Sequence, residues 1–252
     1  MPGIDIKDKV ILITGANRGI GKAFVLTALS QGAKKVYACS RDEANLAEVL
    51  EAGGDKVVPI TLDVTKQEQV DAAASQATDV EILINNAGVG ANLDAPVSAS
   101  TSSDDKRMQL ELNVNYFGIV KMVRAFAGTL KNNGGGAIVN IISIAGLSNF
   151  PFAPGYSASK HAAHAITQHF RAELTRNNTL VAGVYPGPID TDMAKDLPFD
   201  KTSPEAVAEH VYAELAKGSE DIFPDPFAQG FVQQLEADRK ALEKANAAVL
   251  QK

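Results

Sequence analysis

Short runs of continuously apolar residues alternate along this chain with segments of helical periodicity. Val10-Ile11-Leu12-Ile13 reads as a buried strand ended by Thr14-Gly15. Residues from about 19 to 31 then carry apolar positions at helical spacing (Ile20, Ala23, Phe24, Leu26). Lys35 to Cys39 reads as a second strand, and residues 42–52 as a helix with Leu46, Val49 and Leu50 on one side. Val57 to Leu62 is a third strand, closed by Asp63; Thr65-Lys66-Gln67-Glu68 has the spacing of a capping box opening the next helix. Ile82-Leu83-Ile84 is a fourth strand, and a Ser/Thr/Asp cluster from Ser98 to Asp105 leads into one long helix over about 106–131. After the break Gly134-Gly135-Gly136 come a fifth strand, Ala137 to Ile142, and a helix over 155–176. The sixth strand, Leu180 to Val184, is broken by Pro186-Gly187-Pro188. Ser203-Pro204 opens another helix, serine as N-cap and proline at the first helical position.

Repeated strand–helix units whose strands are apolar throughout predict a parallel sheet covered by helices on both faces. With right-handed crossovers this is an α/β, doubly wound, Rossmann-like fold. Its length of 252 residues fits a single domain spanning 1–252. The ending from about 221 departs from the alternation. Asp221-Ile222-Phe223-Pro224-Asp225-Pro226 leads, with no further strand expected, into a helical tail. Its apolar Phe231, Leu235, Leu242 and Val249 either pack on the same domain or form a subunit seam.

Composition narrows the function. Apolar residues make up 45% and charged residues 21%, ordinary values for a globular chain. A net charge of −6 argues against a nucleic-acid surface, which carries a basic balance. One cysteine, Cys39, excludes an internal disulfide, fits a reducing compartment, and in Val36-Tyr37-Ala38-Cys39 reads as a buried strand residue. The first residues lack a secretory pattern and no apolar run reaches the ~20 residues of a membrane helix, so the expected location is cytoplasmic, with no membrane partner.

Chemistry concentrates at two places. Thr14-Gly15-Ala16-Asn17-Arg18-Gly19-Ile20-Gly21 joins the first strand to the first helix. There the glycines let backbone approach a pyrophosphate, and the helix N-terminus offers free N–H groups and partial positive charge. Tyr156 and Lys160 stand four apart on a predicted helix and share a face. A free phenol, with a pKa of about 10, is a poor acid–base group at neutral pH, and a neighbouring ammonium is expected to lower that value.

These pieces, with Asn85-Asn86-Ala87-Gly88 after the fourth strand, Asn115 in Val114-Asn115-Tyr116-Phe117-Gly118, Ser143 at the end of the fifth and Pro186-Gly187 after the sixth, resemble the short-chain dehydrogenase/reductase family in order and spacing from about residue 8 to 217. The resemblance implies hydride transfer between a nicotinamide cofactor and a carbonyl/alcohol pair, with Tyr156 exchanging the proton. It implies that Ser143 orients the carbonyl oxygen, that Lys160 contacts the nicotinamide ribose, and that Asn115 holds a water in a proton relay reaching Lys160. It places Asp63 and Val64 beside the adenine, Asn86, Ala87 and Gly88 along the ribose, and Pro186, Gly187, Ile189 and Thr191 against the cofactor. It also implies a homo-oligomer, dimer or tetramer, although the atypical ending weakens the tetramer.

Cofactor choice follows from charge in such a fold. Where an acidic residue would bind the ribose hydroxyls and repel a 2′-phosphate, this chain has Ser40 followed by Arg41, with Arg18 in the glycine turn near enough to help. Two guanidinium groups and a hydroxyl suit a phosphate, so NADP(H) is expected; Asp42 reads as the cap of the following helix. The expected pocket walls are Val89 to Pro96, Ala145 to Phe152 and Tyr185 to Phe199, with Leu147, Phe150, Phe152, Tyr185, Met193, Leu197 and Phe199 making them apolar. They fit a neutral aldehyde or ketone, and Lys195 is the one basic candidate for an anionic group. The short stretch from Thr191 to Ser203 predicts an open pocket. His161, His164 and His169 lack accompanying carboxylate or cysteine ligands, so no metal is expected. The competing readings are an NADP(H)-binding regulator without activity and an NAD-dependent alcohol dehydrogenase.

Overall fold

The computed structural model describes residues 1–90, 99–100 and 104–251. Seven strands form one sheet in the order β3-β2-β1-β4-β5-β6-β7, with every neighbouring pair parallel. They are β1 (Val10–Thr14), β2 (Lys35–Ser40), β3 (Val57–Thr61), β4 (Ile82–Asn85), β5 (Gly136–Ile141), β6 (Thr179–Val184) and β7 (Asp221–Ile222). The order reverses between β1 and β4, which pair Ile11 with Ile82 and Ile13 with Ile84. That reversal opens the crevice where α/β sheets bind ligands.

The strands are apolar throughout because both faces are covered, and successive side chains feed opposite cores. Ile11 and Ile13 join Phe24 and Ala28 of α1 (Gly19–Ser30), Val49 of α2 (Ala47–Gly53) and Val207, Val211 and Leu215 of α7 (Pro204–Lys217). Val10 and Leu12 join Val70 of α3 (Gln67–Gln76), Val123, Phe126 and Leu130 of α5 (Gly118–Asn132), and Ala163, Phe170 and Leu174 of α6 (Pro154–Leu174). Burying each such side chain contributes about 1.5–3 kcal/mol. Cys39 is a fully buried member of the second core, and burial pushes its thiol far above the ordinary range. Among the described residues no helix is long and apolar enough to cross a membrane.

Three local expectations need correction, and one alternative is decided. Thr65 does not cap α3; its N–H and hydroxyl both donate to Asp63 Oδ1 at 2.9 and 2.7 Å, leaving Lys66 as N-cap without a side-chain bond. Asp63 and Thr65 form their own turn ahead of the helix, which starts at Gln67. The expected long helix is α4 (Lys106–Leu112), a π-helical turn Asn113–Phe117 and then α5, a widened turn typical of functional positions. The chain does return to the sheet after α7: β7 pairs Asp221 with Gly183 and Ile222 with Val184, too short to leave a periodic signal. The tail then packs on its own chain. Phe231 of α8 (Pro226–Ala237) stacks on Phe150 at 5.7 Å, Leu242 of α9 (Arg239–Ala247) is buried, and Asn246 donates to Ser148 and Asn149. The side chain of Val249 and residues 91–98 and 101–103, including much of one expected pocket wall, lie outside the described residues.

Candidate active site

The glycine turn adopts the backbone its sequence requires: Gly15 and Gly19 have φ of +65° and +52°, a region that disfavours side chains. Asn86 clamps this turn, its amide donating to Thr14 O and Gly15 O at 2.9 and 3.0 Å. Thr14 Oγ1 in turn accepts from the N–H groups of Asn86 and Ala87 at 3.0 and 2.9 Å. A Cβ on Gly21 would strike Gly15 O and the Asn86 amide, so α1 packs directly under the turn. No side chain caps the N-terminus of α1, where Arg18 is the N-cap. An uncapped helix end over a glycine turn fits a diphosphate.

Across the crevice, Gly88 lies at the junction with the reacting groups. A Cβ there would stand 3.3 Å from Asn115 Oδ1 and 3.8 Å from Lys160 Nζ, so a side chain at this position would press on both groups. Asn115, in the π-helical turn and 1% exposed, accepts from Val89 N–H at 2.9 Å and donates to Val89 O and Ser159 Oγ, each at 3.0 Å. Lys160 is buried and donates to Ile141 O at 3.0 Å. Its Nζ lies 5.6 Å from the centre of the Tyr156 ring, and burial pushes its pKa down to about 8. The Ser143 hydroxyl donates to Pro186 O at 3.4 Å and accepts from Ala145 N–H at 3.1 Å, and it acts on the Tyr156 phenol.

The expected lowering of the Tyr156 pKa does not appear. Burial raises it, the hydroxyl of Ser143 pulls it back, and the carboxylate of Glu111 raises it further. Lys160 bonds a carbonyl and is itself destabilised as a cation by burial, which weakens the pull expected from it.

At the end of β2, where the 2′-ribose is expected, Ser40 is buried with its hydroxyl donating to Asp42 O, and Asp42 caps the following 3-10 turn through Ala44 N–H. Arg41 is exposed; the Asp63 carboxyl nearby is raised by burial but held below the usual range, chiefly by the hydroxyl and N–H of Thr65 and then by the charges of Arg41 and Lys66. Arg18 pairs with Asp192 at 3.0 Å, both side chains largely in solvent. The loop carrying Asp192 lies over the crevice rather than away from it. Thr191 Cγ2 stands 3.0 Å from a Cβ position at Gly19, and Met193 occupies the space a Cβ on Gly90 would take. Ile189 bridges to Thr202, fixing the loop base.

Pro186 and Gly187 are held by a residue the sequence did not single out. Asp225, 1% exposed, accepts from Gly187 N–H and from Ala228 N–H, each at 2.8 Å, so one carboxylate caps α8 and pins the turn beside Ser143. Beyond it, Leu197, Pro198, Phe199, Asp200 and Phe227 line a shallow depression of about 480 Å³, with the rings of Phe199 and Phe227 5.4 Å apart. Tyr185 is removed from the expected walls. It is 1% exposed, stacks on Phe223, and its hydroxyl bonds His164 Nδ1 at 2.8 Å and Asp221 at 3.2 Å. His161 faces Ser157 O and His169 pairs with Glu173, so the three histidines of α6 point to three different partners.

With this geometry in place, the relatives agree. The short chain dehydrogenase model matches residues 9–202. The chain belongs to the short-chain dehydrogenase/reductase family. An uncharacterized oxidoreductase of Staphylococcus saprophyticus is 32% identical over 217 residues, 82% of this chain and 90% of that protein. A short chain dehydrogenase from Burkholderia cenocepacia, solved in complex with NADP, is 39% identical with a TM-score of 0.89, covering 96% of this chain and 99% of that one. A relative from Burkholderia phymatum, solved with NAD, is 26% identical with a TM-score of 0.82, covering 94% and 96%. As a family member the protein is an oxidoreductase whose fold binds a nicotinamide cofactor.

Proposed function

We propose that the protein transfers hydride between NADP(H) and a neutral aldehyde or ketone, or the corresponding alcohol, with Tyr156 as the acid/base group. The observation that carries this reading is the grouping of the four residues: Asn115 and Lys160 meet at Gly88, the Lys160 ammonium lies 5.6 Å from the Tyr156 ring, and the Ser143 hydroxyl acts on the Tyr156 phenol. A bound nicotinamide supplies or accepts the hydride at that place. Ser143 orients the substrate oxygen and Tyr156 donates a proton to it in the reducing direction, for which a phenol kept protonated by burial is the competent form. Lys160 and Asn115 lie behind the phenol, where protons are replenished. The exposed Met193, Phe199 and Phe227 give an apolar approach, which favours a neutral substrate.

NADP(H) is supported by Ser40 and the free face of Arg41, by the engagement of Asp42 in a cap, and by the NADP bound to the Burkholderia cenocepacia relative. NAD(H) has one feature in its favour: Arg18 is committed to Asp192 and Arg41 lies beside Asp63. A panel of apolar aldehydes and ketones offered with NADPH and with NADH decides between them. Consumption of NADPH well above NADH is expected. Equal use of both refutes the 2′-phosphate reading, and silence across the panel with cofactor bound favours a regulator.

A further inference from the structure

An ion pair with one buried partner stands against the first turn of α6, next to the candidate acid/base group, and takes no part in the scheme above. Glu111 lies on α4, four residues before Asn115 and four after Arg107, and its side chain is 4% exposed. Arg107 Nε donates to Glu111 Oε1 at 3.1 Å, while the same guanidinium donates through Nη2 to Gly90 O. Helix α4 crosses α6 at Gly155, the residue before Tyr156. Glu111 Oε2 and Met108 Cγ occupy the place where a Cβ on Gly155 would stand. The absence of that side chain is what lets a carboxylate reach the first turn of α6. This turn carries no acidic residue of its own and its N-cap, Ala153, makes no side-chain bond, so its partial positive charge is met by Glu111 from the neighbouring helix.

A charge buried to this degree is costly unless it is paired, and here one partner is itself partly exposed. Among the described residues, the groups that act on the Tyr156 phenol are Ser143 from the turn after β5, Lys160 from α6, and Glu111 from α4, whose carboxylate stands against Gly155, the residue before Tyr156. Glu111 is the one anion among them.

Building on the assignment of Tyr156 as the acid/base group, we propose that Glu111, held by Arg107, is a positioning residue for Tyr156: its buried negative charge favours the neutral phenol, the form that donates a proton to a carbonyl oxygen. It touches neither substrate nor cofactor and acts through Tyr156. The device biases the site toward carbonyl reduction and moves alcohol oxidation, which needs the phenolate, to higher pH. Burial pushes the Glu111 carboxyl above the usual carboxylate range, and the hydrogen bond and charge of Arg107 pull it back.

The two partners make a test with opposite signs. Tyrosine labelled with carbon-13 at Cζ is incorporated into the protein without cofactor, and the Tyr156 resonance among the 5 tyrosines is identified by its loss in Tyr156→Phe. Glu111→Gln, which keeps an acceptor for Arg107 but removes the charge, is expected to move the phenol midpoint down by about half a unit, the order of one like charge acting through a partly screened interior. Arg107→Gln, which leaves Glu111 less compensated, is expected to move it up. Glu111→Asp, which retains the charge, stays near the native midpoint and replaces Arg107→Gln if that variant does not fold. With substrate, the pH profile of alcohol oxidation shifts with the same signs. A folded Glu111→Gln with an unmoved midpoint, or shifts of one sign in both charge variants, overturns the proposal. The titration reads the phenol itself, so it is independent of whether Tyr156→Phe abolishes turnover, which tests the underlying assignment.

Discussion

Asp225→Ala separates the tail from the site in a single step. The carboxylate is 1% exposed and accepts two backbone N–H groups at 2.8 Å, one from Gly187 in the turn after β6 and one from Ala228 at the start of α8. Losing an N-cap costs about 1 kcal/mol, and losing a hydrogen bond to a charged group costs about 1.5–3 kcal/mol. Together the substitution costs about 3 kcal/mol. In a chain of this size each kcal/mol lowers the melting temperature by about 2–4 °C, so a fall of about 6–12 °C is expected in calorimetry. Asp225→Asn keeps one acceptor but turns an amide NH₂ toward the other N–H, and falls roughly half as far. Because Pro186 O accepts from Ser143 at 3.4 Å and from Ile144 N–H at 3.2 Å, releasing Gly187 also loosens the turn that carries Ser143. The kcat for carbonyl reduction therefore drops at temperatures where Asp225→Ala is still folded. A melting temperature within about 2 °C of native would show that this carboxylate does not join the tail to the site.

Two further outcomes follow from charge. Arg41→Ala weakens NADPH by about tenfold, the low end for a charge-assisted bond at an exposed site, and leaves NADH within about twofold; equal losses, measured by fluorescence titration, contradict a 2′-phosphate contact. Lys160 has its folded pKa lowered from 10.5 to about 8 by burial, so between those values the unfolded chain binds the extra proton and stability rises with pH. Lys160→Met removes the cost of the buried ammonium but loses its bond to Ile141 O, so it is more stable than native by about 2 kcal/mol below pH 8, an advantage that shrinks as pH approaches 10.5; urea unfolding that finds a constant difference refutes this.

The doubly wound frame was legible because β1 to β6 are apolar on both faces and each is followed by a breaker, such as Thr14-Gly15 or Pro186-Gly187-Pro188. Ser203 and Pro204 open α7 as their types require, with Ser203 Oγ accepting from Ala206 N–H. The candidate site was legible where residues cluster in short motifs, as at Gly15 to Gly21 and at Tyr156 with Lys160. It was not legible where partners are distant in sequence. Arg18 finds Asp192 across 174 positions and Gly187 finds Asp225 across 38, pairings set by how loops fall over the sheet rather than by local pattern. Glu111 had a visible signal, since Arg107, Glu111 and Asn115 repeat every four residues along one helix face. Only the crossing at Gly155 reveals that this face meets Tyr156. Thr65 misled because a capping pattern counts residue types and ignores the competing carboxylate of Asp63.

The central claim is that Tyr156 exchanges the proton while the cofactor site is built by other residues. Tyr156→Phe removes one hydroxyl and leaves the glycine turn, Asn86, Gly88 and Lys160 in place. NADPH binding by calorimetry and carbonyl reduction by the same preparation are the paired measurement. Dissociation constants within about twofold of native, with turnover reduced by at least about a hundredfold, are expected, the usual scale for a lost general acid. Turnover of Tyr156→Phe near the native rate would contradict the account.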